Sequence, residues 1–357
     1  MVLDSGRPLS GRRLGSWDMS ANPVLIEVTR GAAVESRHRG AFVVVDASGK
    51  IVQSAGDPHM PIYPRSAVKP LQAIPLIETG AADRFGLTTK ELALACASHK
   101  GEPAHVEAVA NWLARIGLSP AALECGIQAP RTPDAARKAI LAGAPLNAAY
   151  HNCSGKHTGF LTTCVACGDN PSGYIEPGHP AQTRVARALA EMTGCDVSAV
   201  PVGRDGCGIP TYHMPLHGLA TGMARLADPS KLPEARAQAA KRLLNAMAAE
   251  PFYVNGTGGF TTEVMTAVPA VRVKGGAEGV YAAALPELGL GMALKIDDGA
   301  MRAAECVAAH ILRGLQCFGA AEKQRLQLFL NPVIKSDAGR DAGTIRPTAA
   351  LAFPVLP

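Results

Sequence analysis

Aromatic side chains are scarce in this chain of 357 residues, at 4% for Phe, Trp and Tyr together. Little is left to stack on nucleobases, which argues against a nucleic-acid-binding role. Charge of one sign is also lacking: the net +5 is spread along the length, and the densest basic cluster, Arg12 and Arg13, lies in an N-terminal stretch without periodicity. No run of eighteen apolar residues occurs, so no membrane-spanning helix is expected. The start at Met1 lacks the apolar stretch of a signal peptide, so cytoplasm is the expected location, with Met19 as an alternative start. The nine cysteines are an odd number and point to free thiols in a reducing compartment rather than to a disulfide framework. Cys164-x-x-Cys167 has no second C-x-x-C to complete a zinc site and continues a helical pattern, so it is expected to pack in the core.

What is present is a core-forming composition, 47% hydrophobic, enough for one large or two intimate domains. Residues 1–22 are expected to be a mobile tail. Strand patterns follow at Val24–Thr29, Ala41–Val45 and Lys50–Gln53, with the turn Asp46-Ala-Ser-Gly49 between the last two. A helix from Ser66 to Gly80 is expected to kink or split at Pro75, and Thr88-Thr-Lys-Glu91 reads as a capping box for the next one. The middle is alanine-rich and helical, strand signals return at Val268–Val273, Gly279–Leu285 and Gly291–Ile296, and a final helix spans Met301–Cys317. The simplest assembly is α/β (α+β): one antiparallel sheet built from both chain ends (23–60 and 255–320), a helical subdomain (61–254) inserted between its halves, and a C-terminal segment after the 23–335 unit, at 336–357.

Chemistry is suggested by two lysine-centred signatures. In Arg65-Ser-Ala-Val-Lys69, Lys69 lies one helical turn beyond Ser66 on the same face, so its amine can take the serine proton. In Val273-Lys-Gly-Gly276, a strand lysine is followed by glycines that let a substrate lie close to the backbone. S-x-x-K followed by K-x-G in this order resembles the layout of serine acyl hydrolases related to β-lactamases. A lysine acting as base must be neutral, which needs burial or a second cation nearby, and each lysine can be that cation for the other. Ser98, in Cys96-Ala-Ser-His99, is a candidate relay, second nucleophile or helix cap. Asn152-Cys-Ser-Gly-Lys-His157 precedes a helix and would favour an anion. Gly203–Pro210 is a glycine-rich loop around Asp205 and Cys207.

These blocks, together with Val34–Gly40, Lys274-Gly-Gly-Ala-Glu-Gly279 and Lys295-Ile-Asp-Asp-Gly299, resemble in one order the class 3, or rhizobial-type, L-asparaginases of the asparaginase II family, over roughly Ile26 to Pro347. The resemblance implies a serine-β-lactamase-like fold, a homodimer, and hydrolysis of L-asparagine to L-aspartate and ammonia. It implies two serine-lysine tandems, Ser66 with Lys69 and Ser98 with Lys274, and zinc held by Cys153, Lys156 and Cys207 in a positioning role. Arg65, His99 and Asp205 are the candidate substrate-binding residues, Asp205 also standing beside the expected metal ligand Cys207. Two positions depart from the family pattern: Gly259 stands where members commonly carry arginine, and Lys100 where the residue is usually small and polar. The expected mechanism has Ser66, activated by Lys69, attacking the amide, with Ser98 and Lys274 relaying the proton, though Ser98 is an alternative nucleophile. Alternatives are another acyl hydrolase on this fold, such as a glutaminase or a β-lactam-type enzyme, a zinc-bound small-molecule sensor, and an amidase using zinc-bound water.

Overall fold

The computed structural model describes residues 22–143 and 145–353. The mobile tail expected at residues 1–22 therefore lies outside the described residues, apart from Asn22. That residue is buried and donates from Nδ2 to Asp297 Oδ1 at 2.9 Å.

The sheet is antiparallel and draws on both ends of the chain, as expected. Its strands run in the order Val333–Lys335, Asp341–Pro347, Val24–Arg30, Ala33–Asp46, Leu290–Ile296, Val280–Leu285 and Arg272–Gly276, with Ile51–Ala55 also paired to Ala33–Asp46. Asp46 makes the tight hairpin expected from the sequence: its Oδ1 accepts from the amides of Ser48 at 2.8 Å and Lys50 at 3.1 Å, and Gly49 takes the positive φ of 88°. Every residue of Val280–Leu285 is buried, so both sheet faces are covered. Helices Leu216–Ala227 and Met301–Gly314 pack on the central strands. The first lies so close that a Cβ on Gly291 would sit 2.3 Å from the Ala220 carbonyl oxygen.

The helical insertion is organised around Ser154–Cys167, whose residues Ser154 to Cys164 are all buried. An all-round buried helix must satisfy its polar groups internally, and the hydroxyls of Thr158, Thr162 and Thr163 donate back one turn to carbonyls of the same helix. Of the C-x-x-C pair on this helix, Cys164 is in the core as expected, but Cys167 is exposed.

The break at Pro75 occurs as expected: a 3-10 turn Arg65–Val68 leads into Lys69–Gln72, and Ile74–Glu78 is a separate short helix. The capping box at Thr88 and Glu91 is formed. Other boundaries differ. Val268 ends helix Phe260–Ala267, so the strand begins at Arg272. The last long helix stops at Gly314. The division drawn at 335/336 falls inside a hairpin, because Asp341–Pro347 pairs with Val24–Arg30 on one side and Val333–Lys335 on the other.

Four histidines are buried with their rings held neutral: His310, lowered to about 4, and His99, His105 and His157, all lowered, in each case chiefly by burial. An unfolded chain takes up protons near pH 6.5 that these rings refuse. Stability is therefore expected to be complete above about pH 6.5 and to be lost as the pH falls toward 4, with His310 alone contributing about 3 kcal/mol to the loss. Urea midpoints at pH 7.5 and pH 5, for the wild type and His310→Gln, check this: the wild-type midpoint should drop steeply on acidification and that of the variant less.

Candidate active site

The sheet edge and the helical insertion meet at a cleft of about 640 Å³ lined by Arg65, Ser66, Ser98, Cys153, Asp205 and Cys207 among others. Three lysines approach it from three elements, and all three are essentially fully buried: Lys69 at 0%, Lys156 at 2% and Lys274 at 1% exposure.

Two of them converge on one hydroxyl. Ser98 Oγ lies 2.9 Å from Lys69 Nζ and 2.8 Å from Lys274 Nζ. Burial, and then the charge on Lys69, hold the Lys274 amine well below its ordinary pKa. Lys274 is thus the amine of the pair shifted toward its neutral form, whose lone pair can accept a proton, as the paired-lysine arrangement requires. The Ser98–Lys274 tandem is a direct contact in the structure.

The Ser66–Lys69 tandem is not. Lys69 Nζ donates to Ala97 O at 2.5 Å, to Ser98 Oγ and to Cys153 Sγ at 3.1 Å, and no hydrogen bond joins it to Ser66 among the described residues. The physical reason is burial: an amine at 0% exposure must reach acceptors, and these lie on the inner side of its turn, while Ser66 stays partly exposed on the cleft side. Ser66 has a different distinction. Arg65, just before it, has a φ of 50°, a left-handed conformation rare outside glycine and a form of strain that clusters at functional turns. The strand of Lys274 runs directly against this turn, since a Cβ on Gly276 would lie 2.6 Å from Pro64 O and 3.1 Å from Ala67 N.

Arg65 also donates from Nε to Asp205 Oδ1 at 2.7 Å. Burial works to raise the Asp205 pKa, but the charge of Lys156 and the Arg65 hydrogen bond outweigh it and hold the carboxyl below its usual range. Both residues line the cleft, where a small polar ligand can meet them. His99 does not. It is fully buried, its Nε2 pairs with Ser154 Oγ at 2.9 Å, its Nδ1 accepts from the Gly101 amide at 3.1 Å, and its ring stacks on His105. It fastens the Ser98 loop to the central helix, and its assignment to substrate binding is corrected accordingly.

Beside the serines, Lys156 Nζ lies 3.1 Å from Cys207 Sγ, as Lys69 Nζ does from Cys153 Sγ. The Cys153 hydrogen bond, with the help of Lys156 and against burial, pulls the Cys207 thiol down to about 5. Burial opposes the Lys156 charge, but the two thiols more than offset it and raise its pKa. Among the described residues no three His, Cys, Asp or Glu side chains form a metal-binding group; here two sulfurs are joined by a lysine nitrogen.

Sequence reasoning missed much of the far wall: Gln128, Arg131, Asn255, Tyr281 and Glu305 also face the cleft. None stands in a motif with a serine or lysine, and only the folded chain brings them there. Gly259 and Lys100, the two positions at odds with the family pattern, are neighbours: a Cβ on Gly259 would lie 3.5 Å from Lys100 Cε.

With sheet, insertion and serine-lysine centre in place, the chain falls among hydrolases of the asparaginase type. It belongs to the L-asparaginase II family, whose profile matches residues 26–347. No curated protein matches it. Similar solved structures include a β-lactamase from Mycobacterium bovis, at 15% identity and a TM-score of 0.34, covering 81% of this chain and 94% of that one. A mutant simvastatin synthase from Aspergillus terreus matches at 13% identity and a TM-score of 0.36, over 72% of this chain and 86% of its own.

The contact of Gly276 with the Ser66 turn makes a direct prediction. Gly276→Ala should push that turn out of position and lower catalytic turnover by roughly 100-fold, the usual effect of misplacing a reacting group by about 1 Å. Steady-state kinetics with a thermal melt on the same preparation checks this; wild-type turnover would mean that the turn tolerates the displacement.

Proposed function

We propose that the chain is an L-asparaginase that hydrolyses L-asparagine to L-aspartate and ammonia through a serine acyl-enzyme. The observation that carries this reading is the position of Ser98 Oγ between two buried lysine amines, one of them shifted toward its neutral form by burial. Such a unit moves protons at neutral pH without histidine.

In this mechanism Ser66, on its strained turn and open to the cleft, attacks the side-chain amide carbon. Its proton passes to the Lys69–Ser98–Lys274 unit and from there to the amide nitrogen, the C–N bond breaks, and ammonia leaves. Water then cleaves the resulting ester by the same route in reverse, releasing aspartate and restoring the serine. Lys69 serves Ser66 by holding Ser98 and the charge around it, rather than by resting against the Ser66 hydroxyl. A second reading, favoured by the direct contact of Ser98 with both amines, has Ser98 as the attacking group. Arg65, kept in place by Asp205, is suited to the α-carboxylate of the substrate.

Zinc is implied by family resemblance, and the donor set fits it: two soft sulfurs, one already drawn toward thiolate, and a nitrogen. Cys153, Cys207 and Lys156 would hold the ion, with Asp205 close by. Bound there, zinc would fix these side chains and the adjoining wall of the cleft. Lys156 must give up its proton to serve as a ligand, so binding should weaken as the pH falls.

Ammonia release from L-asparagine and L-glutamine, run beside hydrolysis of a chromogenic β-lactam, tests the function. Asparagine should lead glutamine by roughly ten-fold or more in kcat/KM, because one extra methylene costs about 1 to 3 kcal/mol in a fitted pocket. Ser66→Ala and Lys69→Ala should each remove most turnover, with losses that do not add. Peptide mapping of a trapped acyl-enzyme decides between the serines: label on Ser66 supports the first reading, and label on Ser98 replaces it with the second.

For the metal, Cys153→Ala and Cys207→Ala are expected to lower zinc content together and to raise KM more than they lower kcat. Elemental analysis of zinc-supplied protein at neutral pH that finds no zinc would remove the site.

A further inference from the structure

The cleft does not end at the serine-lysine centre. Tyr281 leads away from it: a Cβ on Gly275 would lie 2.8 Å from Tyr281 Cζ and 3.0 Å from its hydroxyl oxygen, so the phenol lies against the residue that follows Lys274. At the far end of this link, Tyr281 Oη donates to Glu305 Oε1 at 3.2 Å. Phe260 packs edge-on against both Tyr281, at 5.1 Å between centroids, and Phe329, at 4.9 Å. Phe260, Tyr281, Phe329 and Glu305 all line the cleft. In a chain so poor in aromatics, three rings gathered beside one carboxyl make a built arm of the cavity.

Resting on the proposed amidase reading, we propose that this arm receives the α-ammonium of an amino-acid amide, with Glu305 as its anionic partner and the aromatic rings as its walls. Ring faces attract organic cations, and a carboxylate supplies the specific hydrogen bond. Tyr281 spends its hydroxyl on Oε1, whereas Oε2 has no hydrogen-bond partner among the described residues. Burial raises the Glu305 pKa despite the Tyr281 hydrogen bond and the charge of Lys100, so a cation brought beside it would favour its ionised form. Arg65 and Glu305 both line the cleft and carry the opposite charges that the carboxylate and ammonium of one zwitterion require. Glu305 is a specificity residue: the reaction does not pass through it.

The test is binding to the full-length protein, which needs no turnover. By titration calorimetry the wild type should bind L-aspartate at least ten-fold more tightly than succinate, which differs only in lacking the ammonium. In the isosteric Glu305→Gln variant that preference should fall to within about two-fold, with succinate affinity unchanged and the thermal midpoint close to wild type. Equal affinity for the two acids in the wild type, a preference that survives Glu305→Gln, or the absence of binding by either acid overturns the inference. Failure of the functional reading shows separately, as wild-type protein that distinguishes the two acids yet releases no ammonia from asparagine.

Discussion

Three buried lysines around one cleft are the constraint that the rest of the structure serves. Burying an ammonium costs several kcal/mol unless it is paired or gives up its proton, and three such groups close together also repel one another. The fold answers differently at each. Lys274 is shifted toward its neutral form, through burial and the charge of Lys69. Lys156 keeps its proton by facing the thiols of Cys207 and Cys153. Lys69 meets three acceptors, a carbonyl, a hydroxyl and a thiol. The serine-lysine centre and the sulfur cluster are thus one electrostatic unit, joined where Lys69 touches Cys153.

Two lobes are needed to hold such a unit. The sheet supplies Lys274 on a strand whose glycines permit close approach, and the insertion supplies Lys69, Ser98 and Lys156 from separate elements. Gly155, next to Lys156, lets the central helix press onto the segment before Ser98: a Cβ there would lie 2.4 Å from Leu94 O. His99 then ties that segment down through Ser154. Much of the precision at Ser98 therefore comes from residues that never reach the cleft.

Local signals carried well from sequence to structure. The Asp46–Gly49 turn, the Thr88–Glu91 capping box and the split at Pro75 depend on neighbours in the chain and were legible from them. The two lysine signatures meet at one cleft because their order along the chain matches the assembly of sheet around insertion. What failed was what side chains decide only after packing. Helical spacing put Lys69 over Ser66, but a fully buried amine goes where its acceptors are. His99 read as a candidate substrate-binding residue, yet its ring is buried and pairs with Ser154. The hairpin of Val333–Lys335 and Asp341–Pro347 was missed because its strands are short, polar and glycine-containing, with little alternation to mark them. The Tyr281–Glu305 arm has no linear signature at all.

The pairing of Asp341–Pro347 with Val24–Arg30 also has a consequence for how the chain is made. Val24–Arg30 leaves the ribosome before the other strands of its sheet and finds one neighbour, Ala33–Asp46, almost at once. Its other edge stays open until Asp341–Pro347 has been synthesised, and an open edge is a template for pairing with other chains. Closing the sheet last is a long-range contact with a large loop to bring together, which makes it slow. The nascent protein thus passes through a stage in which both lobes can form while Val24–Arg30 is still unguarded, so the risk of aggregation lasts until Asp341–Pro347 emerges.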